Sequence, residues 1–265
     1  MTKLEEYELN QKIEGIKRNI GNSLHHYTSM ETLYKIFSNK ELWLSDILSM
    51  KDESEITYLL KKIFNERKYA NLNNALNKYL LNNDIFVFCL STKYDDMSQW
   101  ERYSNNATGV CITFSLEKLY KFLGYNFIFN EILYNYFDYT FIEDIYNNSL
   151  NNKYYEYEGY DSLYKIILSC ASAFKNQSYQ SENECRFVIF DNNHCDYKLI
   201  GNRIRKFKII NINESQNNIR FEDTIEKITL GPLSKQDIKT LKQFFINLGY
   251  NSIAKKISKS NSGLK

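Results

Sequence analysis

The sequence predicts an α+β fold in a single domain, and three observations carry that expectation. Segments with the 3.6-residue apolar spacing of helices are mixed with short apolar runs of strand length, without a regular strand–helix–strand rhythm. One proline and nine glycines in 265 residues leave no stretch with the composition of an interdomain linker. Hydrophobic residues at 43%, with 22 tyrosines and 17 phenylalanines, are enough for a core and argue against disorder.

Taken in order, residues 4–20 suit a charged amphipathic helix with Ile13, Ile16 and Ile20 on one stripe. Residues 1–22 are therefore expected to pack on a core domain that spans 23–258. Residues 24–28 (Leu24-His25-His26-Tyr27-Thr28) form a short strand, and Ser29 caps a helix with Leu33, Ile36 and Phe37 inward. Alternation over 41–45 marks a half-buried strand. Asp52 caps a helix carrying Ile56, Leu59, Leu60, Ile63 and Phe64, and a weaker helix covers about 72–81. Residues 84–92 are apolar on both faces, as a central strand is. Residues 96–103 make a short helix or loop with Trp100 and Tyr103. A strand over 109–114, a helix over 116–123 and a strand over 126–134 follow. Residues 135–160, rich in Asn, Tyr and acids, form an insertion expected to hold a helix.

Leu163, Ile166, Ile167, Cys170 and Phe174 give the apolar face of a helix over 162–175. Strands then dominate, over 185–190, 197–200, 206–212 and 225–231. Gly231-Pro232 turns the chain into a helix capped by Ser234, with Ile238, Leu241, Phe244 and Phe245 inward. Residues 252–257 read as a last strand, and 259–265 as a frayed tail.

A net charge of +2 argues neither for nor against a nucleic-acid partner. Five cysteines include no C-x-x-C pair, and with three histidines no zinc site is expected. Cysteines in apolar runs suit a reducing compartment. No apolar run has transmembrane length and the first 22 residues are polar, so the expectation is a cytoplasmic protein with no membrane partner. No internal repeat and no phosphate-cradling glycine loop is present.

Several phrases stand in a telling order. They are Leu24 to Thr28, Leu42 to Ser45, Asp52 with Glu55, Cys89 to Ser91, and Met97 with Trp100 and Tyr103. Gly109 to Ile112, Glu182-x-Glu184-x-Arg186 and Ile228 to Pro232 complete the set. Each is weak alone. Together they resemble a bacterial family described as domain of unknown function 2971, over roughly residues 24–258. That family looks related to the ADP-ribosyltransferase superfamily. The resemblance implies a split β-sheet core with NAD bound as substrate in the cleft, and a setting in phage defence or toxin systems. The acceptor of the ADP-ribose, a protein or a nucleic acid, stays open, as does the oligomeric state.

The superfamily's signature maps residue by residue. His26 matches the first-strand position, with Thr28 as the hydroxyl two residues on, and Glu184 matches the late glutamate. The middle position is open to Tyr27, to Ser91 with Thr92, or to Trp100 and Tyr103. Cleaving the nicotinamide–ribose bond builds positive charge on the sugar, which a carboxylate at Glu184 would offset. His26 would hold a ribose hydroxyl or phosphate, Trp100 or Tyr103 would stack on nicotinamide, and Arg186 would brace Glu184 or bind phosphates. Each role has a structural rival: an ion pair between Glu184 and Arg186, and core positions for His26, Trp100 and Tyr103. The basic run Arg203, Arg205, Lys206 and Lys208 reads as an edge strand's solvated face or as a phosphate or nucleic-acid contact. A non-catalytic module of the same fold, binding a nucleotide, nucleic acid or protein, is the competing reading. A metal-dependent nuclease is disfavoured because no carboxylate spacing forms a metal motif.

Overall fold

A strand apolar on both faces belongs in the middle of a sheet, and β3 (Ile85–Ser91) takes that place. The structure, a computed structural model, describes residues 3–50, 70–134, 160–191, 195–200, 202–214 and 218–263. One edge of β3 pairs along its length with β6 (Glu184–Phe190), from Ile85↔Phe190 to Ser91↔Glu184. The other edge is shared by two strands. β2 (Glu41–Asp46) holds Phe86 and Val87, while β1 (Ser23–Thr28) meets it at the single pair His25↔Ser91. Between these contacts β1 and β2 part company, so the sheet is split.

One wing continues from β1 to β4 (Val110–Ser115), β9 (Ile225–Leu230) and β10 (Ile257–Lys259). The other runs from β2 to β8 (Arg203–Asn211) and β7 (Asp196–Ile200). β5 (Ile128–Glu131) lies against β6. β9 and β10 pair in parallel and the other ladders are antiparallel, so the sheet is mixed.

Helices cover both faces. On one side lie α1 (Lys3–Ile20), α2 (Met30–Asn39) and α5 (Leu116–Leu123), the last two following β1 and β4. Leu9 and Ile13 of α1, and Leu33, Ile36 and Phe37 of α2, pack into the main core with Leu24, Phe88, Ile112 and Phe187. α5 is too short to persist alone, and five buried side chains from Leu116 to Leu123 hold it in place. On the other side α3 (Ala70–Asn82) and α6 (Tyr160–Ala171) place Leu76, Leu163 and Ile167 against Ile85, Val87 and Val188. α4 (Met97–Tyr103) is capped by Asp96, whose Oδ1 accepts from the Gln99 N–H at 3.2 Å.

The α+β expectation holds, and several local expectations are corrected. α6 stops at Ala171 rather than 175, and Ile166 on its flank is 41% exposed. The helix α8 (Ile238–Asn247) is capped by Asp237, not Ser234, since the Asp237 carboxylate accepts from Thr240 N at 2.7 Å. Ser234 instead closes a local turn to Gln236 N. A short helix, α9 (Asn251–Ala254), replaces the expected strand over 252–257, and the strand comes later as β10. A one-turn helix, α7 (Phe221–Thr224), precedes β9. The tail is tied rather than frayed over its described part: Ser260 Oγ and Asn261 N both donate to Asp95. The Asp52-capped helix and most of the 135–160 insertion lie outside the described residues.

Candidate functional site

Directly opposed residues of an antiparallel pair project to the same face of the sheet, and the register therefore assigns the sides. His25↔Ser91 and Ser91↔Glu184 put those three residues in one row across β1, β3 and β6. Ser45↔Val87 and Phe207↔Ser45 place Ser45 and Phe207 on that same face, and Arg205, two residues from Phe207, joins them. A cavity of about 850 Å³ is lined by all of these except Val87. Gln99, Arg102 and Tyr103 of α4 wall it on one side, and Lys175, Tyr179 and Glu182 on another.

The two glutamates reach the cavity through a local reversal. A 3₁₀ helix (Gln177–Glu182) ends at Asn183, which takes the left-handed conformation (φ 43°) that asparagine tolerates better than most residues. That turn is fastened to β3 and α4, because Ser91 Oγ and Gln99 Nε2 each donate to the Glu182 carbonyl at 2.8 Å. Lys175 Nζ then bridges both carboxylates, at 2.7 Å to Glu182 Oε2 and 2.9 Å to Glu184 Oε2. Arg186 Nε donates to Glu184 Oε1 at 2.6 Å and Nη2 to Oε2 at 3.1 Å. Glu182 Oε1 accepts from Tyr103 Oη and, at 3.3 Å, from Arg102 Nη1.

Burial pushes the Glu184 carboxyl up, but Arg186 and Lys175 outweigh it and bring the group down to about 2, so it is ionised at neutral pH. Burial also pushes the Tyr103 hydroxyl far up, with the Glu182 carboxylate adding to the effect, so Tyr103 is a donor. A carboxylate has about four acceptor sites. Three protein donors fill three on each glutamate, leaving one apiece for a ligand.

Both histidines line the cavity, but they differ in orientation. His25 shares the face of Glu184, donates or accepts at Thr113 Oγ1 through Nδ1 (3.1 Å), and is brought down to about 4 by burial. His26 points to the opposite face, where its ring lies 5.0 Å from that of Phe88 and its Nδ1 contacts the Cys89 carbonyl at 3.1 Å in the split between the wings. Burial lowers its pKa, opposed by that carbonyl. Both rings are neutral at pH 7, and neither Nε2 has a protein partner among the described residues.

The other expected site residues divide. Ser91, Tyr103 and Tyr27 line the cavity, though the Tyr27 hydroxyl is engaged by Lys93 O and Asp96 N. Three others, Trp100, Thr28 and Arg186, lie outside the cavity lining. Trp100 is fully buried, donates Nε1 to Asp95 at 2.8 Å and meets Tyr27 edge-on, so it is core. Thr28 is buried among core residues on the far face. Arg186 is fully buried under Glu184 and donates Nη1 to Ser172 O, so it braces the glutamate and does not reach phosphates. His26 also lines the cavity, but the register turns its ring to the opposite face of β1, so His25 is the histidine in the row with Glu184.

Residues 99–187 match the model of a family described as a protein of unknown function, DUF2971. This is the family that the ordered phrases resemble. No curated protein and no solved structure matches the chain. The DUF2971 stretch runs from α4 to β6 and contains Gln99, Arg102, Tyr103, Lys175, Glu182 and Glu184, the whole carboxylate end of the cavity. Among the described residues no group of His, Cys, Asp and Glu is placed to hold a metal, and no helix is long and apolar enough to cross a membrane.

Sequence reasoning missed His25, Lys175 and Arg102, while Arg205 falls in the basic run read as a solvated edge or a phosphate contact. For His25 a signal existed: Leu24 and His26 share one strand face, and an apolar Leu24 points that face toward the core. Lys175 carried none, since it follows the end of α6 and meets its glutamates only through the tertiary fold.

Proposed function

We propose that this chain is an ADP-ribosyltransferase-like enzyme that consumes NAD, with the sugar end of the dinucleotide at Glu182 and Glu184. The observation that supports it is the row His25–Ser91–Glu184, three adjacent strands opening on one cavity at the split of the sheet. Two strand spacings separate His25 from Glu184, about 10 Å, which admits a ribose between them. A volume of about 850 Å³ falls within the roughly 300–1,000 Å³ of small-molecule sites.

In this reading the bond between the nicotinamide nitrogen and its ribose carbon breaks, and the electron pair leaves with neutral nicotinamide. Positive charge grows on the ribose, facing the ionised Glu184 carboxylate. Glu184's remaining acceptor site takes a ribose hydroxyl, which orients the sugar before reaction. His25 Nε2 holds a second ligand oxygen. A nucleophile, either water or a macromolecular acceptor, then adds at the ribose carbon and gives its proton to Glu182.

Nicotinamide release from labelled NAD tests the proposal, comparing the intact chain with Glu184→Gln. Release that falls at least a hundredfold in the variant, with its fold verified by circular dichroism, supports it; equal release removes Glu184 from the mechanism. The filling of three acceptor sites on each glutamate favours a second reading, a module that binds a nucleotide without cleaving it. NAD that raises the melting temperature but yields no nicotinamide selects this one.

A further inference from the structure

Opposite the carboxylates, the cavity holds a cation with no anion among the described residues. Arg205 lines it from β8, yet its guanidinium forms no ion pair or hydrogen bond among the described residues, and its Nε is buried without a partner. A buried N–H left unmade is costly, so such a group calls for an acceptor. Among the described residues the surroundings do not offer one. Directly across the ladder from Arg205 stands Lys198, a like charge, itself 3.7 Å from Glu41. Lys206, which also lines the cavity, is taken by Asp84 at 2.7 Å, and Lys208 by Asp191. Asp46, the nearest acid of β2, spends its carboxylate on Leu48 N and Ser49 Oγ. Ser45 lines the cavity beside Arg205, and its hydroxyl has no protein partner among the described residues.

We propose that Arg205 and Ser45 form an anion site that takes the phosphate or pyrophosphate of the cavity's ligand. The planar guanidinium fork matches phosphate oxygens with two parallel N–H donors, and the serine hydroxyl adds a third. Three strand spacings, about 14 Å, separate β8 from β6 across the floor. The cavity is thus polar in a directed sense: donors without an anion at one end, carboxylates with a spare acceptor site at the other. A phosphorylated sugar or nucleoside diphosphate, anionic at one end and rich in hydroxyls at the other, fits that polarity. The orientation of NAD rests on the function proposed above; the anion site itself does not.

The test measures binding of inorganic pyrophosphate and of ADP-ribose to the full chain by calorimetry. Arg205→Gln is compared with Arg203→Gln, which removes the same charge two residues away outside the cavity. Because Arg205 makes no side-chain bond among the described residues that its loss would break, the variant should fold, and its melting temperature verifies this. The expected result is a tenfold or greater weakening of both probes in Arg205→Gln, less than twofold in Arg203→Gln, and an intermediate loss in Arg205→Lys. Equal binding by Arg205→Gln and the wild type overturns the proposal, as does a wild type that binds neither probe. Binding that depends on Arg205 in a protein releasing no nicotinamide from NAD upholds the anion site and refutes the NAD reading. Nicotinamide release with an unchanged KM in Arg205→Gln does the reverse.

Discussion

Replacing Glu184 by glutamine gives a stability change whose size and pH dependence both follow from the site. The variant leaves Arg186, fully buried, with a neutral acceptor in place of the carboxylate it holds at 2.6 and 3.1 Å. Removing one partner of a buried ion pair costs about 3–5 kcal/mol. Lys175 keeps Glu182, and the amide carbonyl retains one bond, so the low end applies. Linkage gives a similar figure: a fall from the ordinary 4.5 to about 2 corresponds to about 3 kcal/mol. The sign is fixed by the depressed folded-state pKa. The carboxylate's contribution is complete above pH 4.5 and is lost as the pH falls toward 2. Urea unfolding of both proteins from pH 7 to 2.5 should show a gap of about 3 kcal/mol at pH 7, narrowing to about 1 kcal/mol at pH 3. A gap below about 1 kcal/mol at neutral pH, or one that acid leaves unchanged, would refute the buried network as drawn.

The same reasoning extends to other positions. His25, held near 4 by burial against an ordinary 6.5, should titrate well below the usual histidine range in an NMR pH series; stability should fall as the pH drops from 6.5 toward 4, a span that His25→Gln abolishes. Asp95→Ala orphans the buried Trp100 N–H and frees Ser260 and Asn261, with a loss of about 1–3 kcal/mol in denaturant unfolding and faster carboxypeptidase trimming past Lys259. At Gly231 an added Cβ would lie 2.3 Å from the Ala107 carbonyl oxygen, so Gly231→Ala should cost about 2–3 kcal/mol, while Gly15→Ala in α1, with open space around it, should gain about 0.5–1 kcal/mol. Thermal melts of the two glycine variants moving in the same direction would refute that contrast.

What the sequence made legible was periodic. β3 was readable because Ile85 to Leu90 leave no polar face, and α5 because Leu116, Leu119, Tyr120 and Leu123 repeat at helical spacing. Boundaries failed where a polar residue had two possible jobs. Ser234 and Asp237 are both competent caps, and the charged one took the N–H groups of α8. Ser252 to Ile257 has strand-like alternation, but a one-turn helix seated Ile253 and Ala254 in the core first. The carboxylate pair was legible as a motif, whereas its bridging cation was not, because Lys175 and the glutamates meet through a turn set by Asn183 and anchored on Ser91 and Gln99.

Side assignment is the deeper lesson of β1. Alternation turns neighbouring residues to opposite faces, so two histidines in sequence cannot both stand beside Glu184. The row containing Ser91 and Glu184 selects His25, and the core selects the face of Leu24, His26 and Thr28. The same parity separates Arg205 from its neighbours on β8. Lys206 and Lys208 find Asp84 and Asp191, while Arg205 turns to the cavity and finds no acid among the described residues. A strand that served only as a solvated edge would gain by pairing or shortening that side chain, since an unsatisfied buried donor costs about 1–3 kcal/mol. The cost is confined to the one face of β8 that opens on the cavity, which is where a ligand's anion would remove it.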